Sequence, residues 1–274
     1  MKKVLLSLFS LVLVLSFAGC GESKEANNFD SRAKLAKDSV LEKVLKSGTL
    51  KVGLEAGYLP FEFMSKDGKL IGFDVDLAKE MGKELGVKVE FVNTAWDGII
   101  PSLQLGKYDI ITSGMTRTLQ RALSVNFTEP YYETGQVIMV RKGETRFNSY
   151  KDLNNPAIKV AVKLGTTSDI VSGKMLKKAK RIPFKTEADA AMALRTKKVD
   201  AMVYDKPFIS DYVEKFNDVK MMPELFSKEF FGFAIKKGDP DFLNWLNLFI
   251  AEIKANGTYE ELYNKWFVEK EYKK

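Results

Sequence analysis

The 274-residue chain has no histidine and a single cysteine, Cys20. The missing histidine rules out a Ser-His-Asp or Cys-His triad and any histidine-ligated metal site. One cysteine cannot form an intramolecular disulfide or a thiolate zinc cluster. No cofactor or metal is therefore expected. Long apolar stretches are also lacking: Val4 to Phe17 falls short of the ~20 residues of a transmembrane helix, and nothing downstream comes close. Basic residues are only modestly in excess, with 43 Lys+Arg against 36 Asp+Glu and a net charge of +7 spread along the chain. Without aromatic-interleaved basic runs, that excess does not suggest nucleic acid as a partner. Apolar residues make up an ordinary 45%, which sets disorder, collagen and coiled coil aside. The length suits one large or two medium domains with a real core.

The amino terminus reads as an address. Lys2 and Lys3 precede the apolar run, and Ala18-Gly19 close it, as in a secretory signal peptide over residues 1–19. Ala18-Gly19-Cys20 resembles a bacterial lipobox, with Phe17 where leucine is usual, so the mature chain is expected to begin at a lipid-modified Cys20. Such acyl chains, palmitate among them, contribute about 0.8 kcal/mol per buried CH₂, and two or three anchor a protein stably. The alternative is an ordinary signal peptide with an incidental cysteine. Residues 20–38 are polar and read as a flexible tether.

Beyond Ser39, short β-rich runs alternate with helical patterns, the signature of βαβ units and a parallel sheet. A helix ending at Ser47-Gly48 leads into a strand at 50–54. The order continues with a helix opened by Phe73-Asp74 and stopped by Gly86, a strand at 87–92, a helix at 96–104 and a strand at 108–112. The plan recurs as a strand at 158–162, helices at 168–178 and 187–195, and a strand at 199–204. Lys107-Tyr108-Asp109-Ile110-Ile111 reappears as Lys198-Val199-Asp200-Ala201-Met202, each copy entering an apolar strand. A strand at 231–236 and helices at 242–255 and 259–267 follow. Two α/β lobes are expected, with the tail returning to the first and a cleft where the strand ends face each other.

Five loops follow those strands. In the first half, Ser113-Gly114-Met115-Thr116 leads into a helical turn at 119–122. Exposed N–H groups there suit a small anion, and Arg121, one turn in, suits a two-pronged bond to a carboxylate. Gly165-Thr166-Thr167-Ser168 is a similar turn in the second half. Asp205, at the end of the last strand, is placed to pair with an ammonium. Glu55 and Lys163 close strands facing the same cleft, and Tyr58 and Trp96 are placed to clamp a ligand side chain. Each has a plainer reading. Arg121, Glu55 and Lys163 suit solvated surface, Tyr58 and Trp96 core packing, and the Thr166-Thr167 turn and Asp205 simple helix capping. Together they describe a receptor for a zwitterion.

Several segments carry a family resemblance. Tyr58-Leu59-Pro60-Phe61-Glu62-Phe63 and Gly72-Phe73-Asp74-Val75-Asp76-Leu77 resemble the opening signature of polar amino-acid solute-binding proteins of ABC importers. Ser113-Gly114-Met115-Thr116 with Arg121, Phe127 to Tyr132, and Asn256-Gly257-Thr258-Tyr259 with Lys265-Trp266-Phe267 are similar to its later signatures. The similarity spans residues 48–268. It implies a type II periplasmic-binding-protein fold. Lobe 1 would comprise residues 39–132 and 233–274 and lobe 2 residues 133–232, joined by crossing segments near 131–135 and 229–232. It implies that Arg121 and the backbone of Thr116 and Thr167 hold an α-carboxylate, and that Asp205, the Gly114 carbonyl and the Thr116 hydroxyl hold an α-ammonium. Glu55, Tyr58, Trp96, Lys163 and Tyr204 would line the side-chain pocket.

The implied protein is a monomeric, non-enzymatic lipoprotein of the bacterial envelope. It would deliver a polar L-amino acid to a permease and ATPase through hinge closure. Because Lys163 would pair with Glu55, a neutral polar ligand (glutamine or cystine) ranks first, lysine or arginine second and acidic ligands third. The competing readings are a secreted dehydratase of cyclohexadienyl acids and a tethered sensor or adhesin without transport.

Overall fold

The computed structural model describes Leu35 and residues 38–273. The signal segment, Cys20 and nearly all of the tether lie outside the described residues.

Helix α1 (Val40–Ser47) starts where the Ser39 hydroxyl accepts the Leu41 N–H, and it stops at Gly48 in a left-handed conformation. Next come β1 (Thr49–Leu54), a small hairpin of β2 (Phe63–Met64) and β3 (Leu70–Ile71), and α2 (Phe73–Leu85). β4 (Lys88–Asn93), α3 (Trp96–Gln104), β5 (Ile110–Ile111), α4 (Leu119–Ala122) and β6 (Asn126–Phe127) follow. β1 pairs in parallel with β4 on one side and β5 on the other. One face of α2 (Phe73, Leu77, Ala78, Met81 and Leu85) is buried, as its helical spacing predicts.

The chain then crosses through β7 (Tyr132–Thr134) into β8 (Gln136–Arg141) and a second sheet. There β9 (Lys159–Lys163), α5 (Thr167–Met175), β10 (Lys180–Phe184), α6 (Glu187–Arg195) and β11 (Ala201–Asp205) repeat the first plan, with β9 parallel to β10 and β11. After α7 (Lys206–Lys215), β12 (Val219–Leu225) forms one edge, and β8 lies antiparallel between it and β11. β13 (Glu229–Phe231) runs back antiparallel to β7, and β14 (Ala234–Ile235) rejoins the first sheet between β5 and β6. α8 (Pro240–Ala255) and α9 (Thr258–Tyr263) pack on α1 and α2, and α9 runs on into a π-helical turn through Val268.

The strand orders are β4-β1-β5-β14-β6 and β10-β9-β11-β8-β12. In each sheet one strand, β1 or β9, sits between two parallel partners, a reversed strand (β14 or β8) follows, and one more closes the edge. The repeated aspartates show how deep the likeness runs. The N–H of Asp109 donates to the Lys51 carbonyl while its carboxylate accepts the Lys51 N–H at 2.9 Å. Asp200 makes the same double clamp on Lys159. The strand expected over 231–236 is two strands, because the chain passes there from the crossing pair into the first sheet. Phe61, Tyr132, Phe231 and Phe267 pack ring against ring beside that crossing.

Candidate ligand-binding cleft

Between the strand ends of the two sheets lies a narrow cavity, far smaller than an open ligand pocket. All ten sequence-derived candidates lie on its wall. From the first lobe come Glu55 after β1, Tyr58 in the next turn, Trp96 at the start of α3, Gly114 and Thr116 after β5, and Arg121 in α4. The second lobe supplies Lys163 at the end of β9, Thr167 at the start of α5, and Tyr204 and Asp205 at the end of β11.

One end of the cavity gathers Arg121, Thr116, Thr167 and Asp205. Arg121 Nη1 donates to the Thr116 carbonyl at 2.8 Å, and Nη2 reaches across to the Gly165 carbonyl at 3.3 Å. Burial brings the guanidinium down to about 10, opposed by Glu229 and Asp205, so it stays charged at neutral pH. Asp205 is pushed up to about 7, first by burial and then by Glu229. Asp205 occupies the capping position of α7 but makes no side-chain cap bond; it accepts from Gln136 Nε2 at 2.5 Å instead. Thr166 likewise leaves the start of α5 uncapped, its hydroxyl donating to the Lys163 carbonyl. Thus neither capping alternative describes what these side chains do.

Gly114 has a φ of +49°, and a Cβ there would lie 2.4 Å from the Tyr58 ring. Its N–H donates to Asp74 Oδ2 at 2.7 Å, as does the Tyr131 hydroxyl at 2.8 Å. That contact explains why the Gly72-Phe73-Asp74 segment matters to a loop 40 residues away. Glu62, also on the cavity wall, accepts from Ser113 Oγ at 2.6 Å, and Ser113 Oγ accepts from the Glu55 N–H at 3.0 Å. Burial, reinforced by Asp74, holds the Glu62 carboxyl well above the usual carboxylate range.

At the other end, Lys163 is 2% exposed and sits between two carboxylates. It is ion-paired to Glu55 across the cleft and to Glu187, at 2.8 Å, on its own side. Burial works against its charge, but Glu187 and Glu55 together raise its pKa. Trp96 lies between the two groups of residues: its Nε1 donates to the Gly165 carbonyl at 3.2 Å, and its ring lies 5.2 Å from the Arg121 guanidinium and 5.7 Å from the Lys163 ammonium. Tyr58 stacks on Phe61 at 4.9 Å and meets the edge of Tyr204 at 6.0 Å.

Sequence reasoning did not single out Glu62, Gln136, Glu187 or Glu229. Glu62 stands inside a quoted signature. The other three stand at element starts with no local pattern to mark them; only the tertiary structure brings them here. Among the described residues no cluster suited to a metal ion occurs and no helix is long and apolar enough to cross a membrane.

The family model for bacterial extracellular solute-binding proteins, family 3, matches residues 50–269. The L-cystine-binding protein TcyJ of Escherichia coli K12 is 35% identical over 234 residues, covering 85% of this chain and 87% of that one. The crystal structure of an ancestral amino-acid-binding protein, a precursor of cyclohexadienyl dehydratase, is 48% identical with a TM-score of 0.79, over 84% of this chain and 99% of that one. An ancestral arginine-binding protein, solved with arginine and also with glutamine, is 44% identical with a TM-score of 0.76, over 80% and 98% of the respective chains.

Proposed function

Because the chain belongs to the bacterial extracellular solute-binding proteins of family 3, we propose that it is the amino-acid receptor of an ABC importer, selective for an L-amino acid with a cationic side chain. In this reading Arg121 and the backbone N–H groups of Thr116 and Thr167 take the α-carboxylate. Asp205, the Gly114 carbonyl and the Thr116 oxygen take the α-ammonium. Tyr58, Trp96 and Tyr204 enclose the side chain, whose tip reaches the Glu55 carboxylate.

The observation that carries the ligand class is Lys163 held between Glu55 and Glu187. Counting Glu55 and Lys163 alone, the sequence points first to glutamine or cystine. Glu187 adds a second carboxylate, so that end of the cleft carries one negative charge in excess. A lysine or arginine side chain neutralises it, whereas a neutral side chain leaves it buried without a counter-charge. Glutamine or cystine is the second reading, favoured by the engagement of Glu55 with Lys163, which leaves a polar, already paired wall.

The crossing pair β7–β13, near 131–135 and 229–232, serves as the hinge between lobe 1 (39–132 and 233–274) and lobe 2 (133–232). The permease reads the closed form. Export follows the signal over residues 1–19, and the lipid on Cys20 holds the monomer at the membrane. Binding is favoured over catalysis because Glu55 is ion-paired by Lys163 and Asp205 is engaged by Gln136. The similarity to a dehydratase precursor makes a cyclohexadienyl-acid turnover assay the necessary control.

The test is a thermal-shift survey of residues 21–274, refolded free of carried-over ligand, against all amino acids and cystine. A ligand at about 1,000 times its Kd adds about 4 kcal/mol, a shift of many degrees. Shifts with arginine or lysine above all others bear out the proposal. Glutamine or cystine in first place reverses the ligand class, and no shift at all sinks the receptor reading. Loss of palmitate label and of membrane association in Cys20→Ala checks the anchor separately.

A further inference from the structure

At the head-group end of the cleft lies a carboxylate that the binding scheme above does not use. Glu229, the first residue of β13, is buried on the crossing strand. Its Oε2 accepts from Thr116 Oγ1 at 2.8 Å, Thr167 Oγ1 at 2.7 Å and Gln136 Nε2 at 3.2 Å, and its Oε1 accepts from Ser227 Oγ at 2.8 Å. Thr116 comes from the first lobe and Thr167 from the second, so one carboxylate on the crossing strand holds a hydroxyl from each.

A hydroxyl has one proton to give and two lone pairs to offer. With both protons turned to Glu229, the two oxygens, 3.3 Å apart, keep only lone pairs for anything else. Gln136 Nε2, whose two protons are shared among Glu229, Asp205 and Thr167, takes one of these lone pairs from Thr167 at 3.1 Å. Neither threonine hydroxyl is left as a donor at this end of the pocket, where the Asp205 carboxylate and a Thr116 lone pair accept; the Tyr58 phenol facing Asp205 is the hydroxyl donor that remains. That is the chemistry of a site for an ammonium and against a group that must accept.

We propose that Glu229 is a positioning residue that makes this end of the cleft specific for an α-ammonium. It does so by committing the Thr116 and Thr167 protons and by placing a second negative charge behind Asp205. This proposal rests on the amino-acid-receptor reading and names the residue that enforces it. Facing Asp205 are Glu229, Lys163 and Arg121, with the phenols of Tyr58, Tyr204 and Tyr132. Burial and Glu229 raise Asp205 to about 7. An arriving ammonium pairs with its ionised form, so affinity weakens as pH falls below that value, by about tenfold per unit once Asp205 is mostly protonated.

The experiment is calorimetric titration of the folded protein between pH 5.5 and 8.5. The probes are L-lysine and 6-aminohexanoic acid, which lacks only the α-ammonium; if L-glutamine is the tighter ligand, it is paired with glutaramic acid. Wild type is expected to favour the α-amino acid by at least about 100-fold. Glu229→Met, which removes the acceptor, should shrink that ratio by at least about tenfold. Glu229→Gln keeps an acceptor for both threonines and removes the charge; it should move the midpoint of the affinity–pH curve toward acid. An unchanged ratio in folded Glu229→Met overturns the proposal, as does an unmoved midpoint in Glu229→Gln, even where melting temperature falls. If Glu229→Met does not fold, the Glu229→Gln midpoint alone decides. A wild type that binds none of the probes overturns the receptor reading and this proposal with it, an outcome visible before any variant is made.

Discussion

Arg121 and Lys163 are two cations of the same cleft with opposite tasks. Arg121 is paired only to carbonyl oxygens, at Thr116 and Gly165, so its charge is available to a ligand. Arg121→Ala should weaken amino-acid binding by roughly 2–5 kcal/mol, because the ligand carboxylate would then be buried unpaired. Calorimetry checks this, and affinity within twofold of wild type would show the carboxylate subsite to be elsewhere. Lys163 already has two carboxylates, and Lys163→Leu strands both. The cost to ligand-free stability is expected at roughly 3–5 kcal/mol in urea unfolding. Preference should also move further toward arginine and lysine over glutamine, and an unchanged ranking would remove Lys163 from the side-chain pocket. Why Arg121, Asp205 and Lys163 could be read from sequence and Glu187 could not is a matter of position. Lys163 and Asp205 end strands and Arg121 stands in the short helix after one, where βαβ geometry sends side chains toward a ligand. Glu187 opens an ordinary amphipathic helix, and only the packing of α6 beside β9 brings it to Lys163.

The elements divide along the same physical line. Helices with capping residues and a 3.6-residue stripe, such as α2 with Gly86 behind it, are legible because their signals are local. Among the strands the sequence reading does not place, which include the central β8, the edge strands β10 and β12 contain Pro183 and Pro223. A proline demotes a run as a strand, yet an edge tolerates one because its missing N–H faces no partner. β7 and β13 are three residues each, too short for any period; they pair with each other, and Phe231 of β13 also bridges to Thr116. Between β7 and β8, Gly135 lets the chain pass close to its neighbour, since a Cβ there would lie 1.8 Å from the Ser227 carbonyl oxygen. Gly135→Ala must therefore push the crossing strands apart, at a cost of roughly 1–3 kcal/mol. Thermal unfolding should show the loss. Because Ser227 also donates to Glu229, ligand affinity should fall as well. A variant with wild-type melting and affinity would mean that the crossing is slack.

On the scale of the whole molecule, the chain that lacks histidine still has groups that titrate near neutrality. Burial pushes Asp74 up to about 7, burial and Glu229 do the same to Asp205, and burial with Asp74 holds Glu62 well above the usual carboxylate range. Unfolded, these carboxyls ionise near pH 4. Between about pH 4 and 7 the folded protein therefore binds more protons than the unfolded chain. Stability from this source is fully present at the acid end and lost as pH rises through 7, by about 1.4 kcal/mol per unit for each group. Carboxylates held low by cations act in the other direction and in a different window. Glu144, brought to about 2 by Arg146, and Glu214, lowered by Lys270 and Lys273, lose their contribution only in more acid solution. The melting temperature of the ligand-free protein is thus expected to fall from pH 5 to pH 8. In the proposed binding mode a bound amino acid would put its ammonium against Asp205, favour the ionised carboxylate and cancel part of that fall. The ligand-induced shift should consequently grow with pH over the same range, and Asp205→Asn should flatten the growth. A ligand-free melting temperature that is level or rising from pH 5 to pH 8 would mean that the cleft carboxyls are already ionised. The cleft would then have to be wetter and more open in solution than its cross-lobe contacts at Gly165 and Glu229 allow.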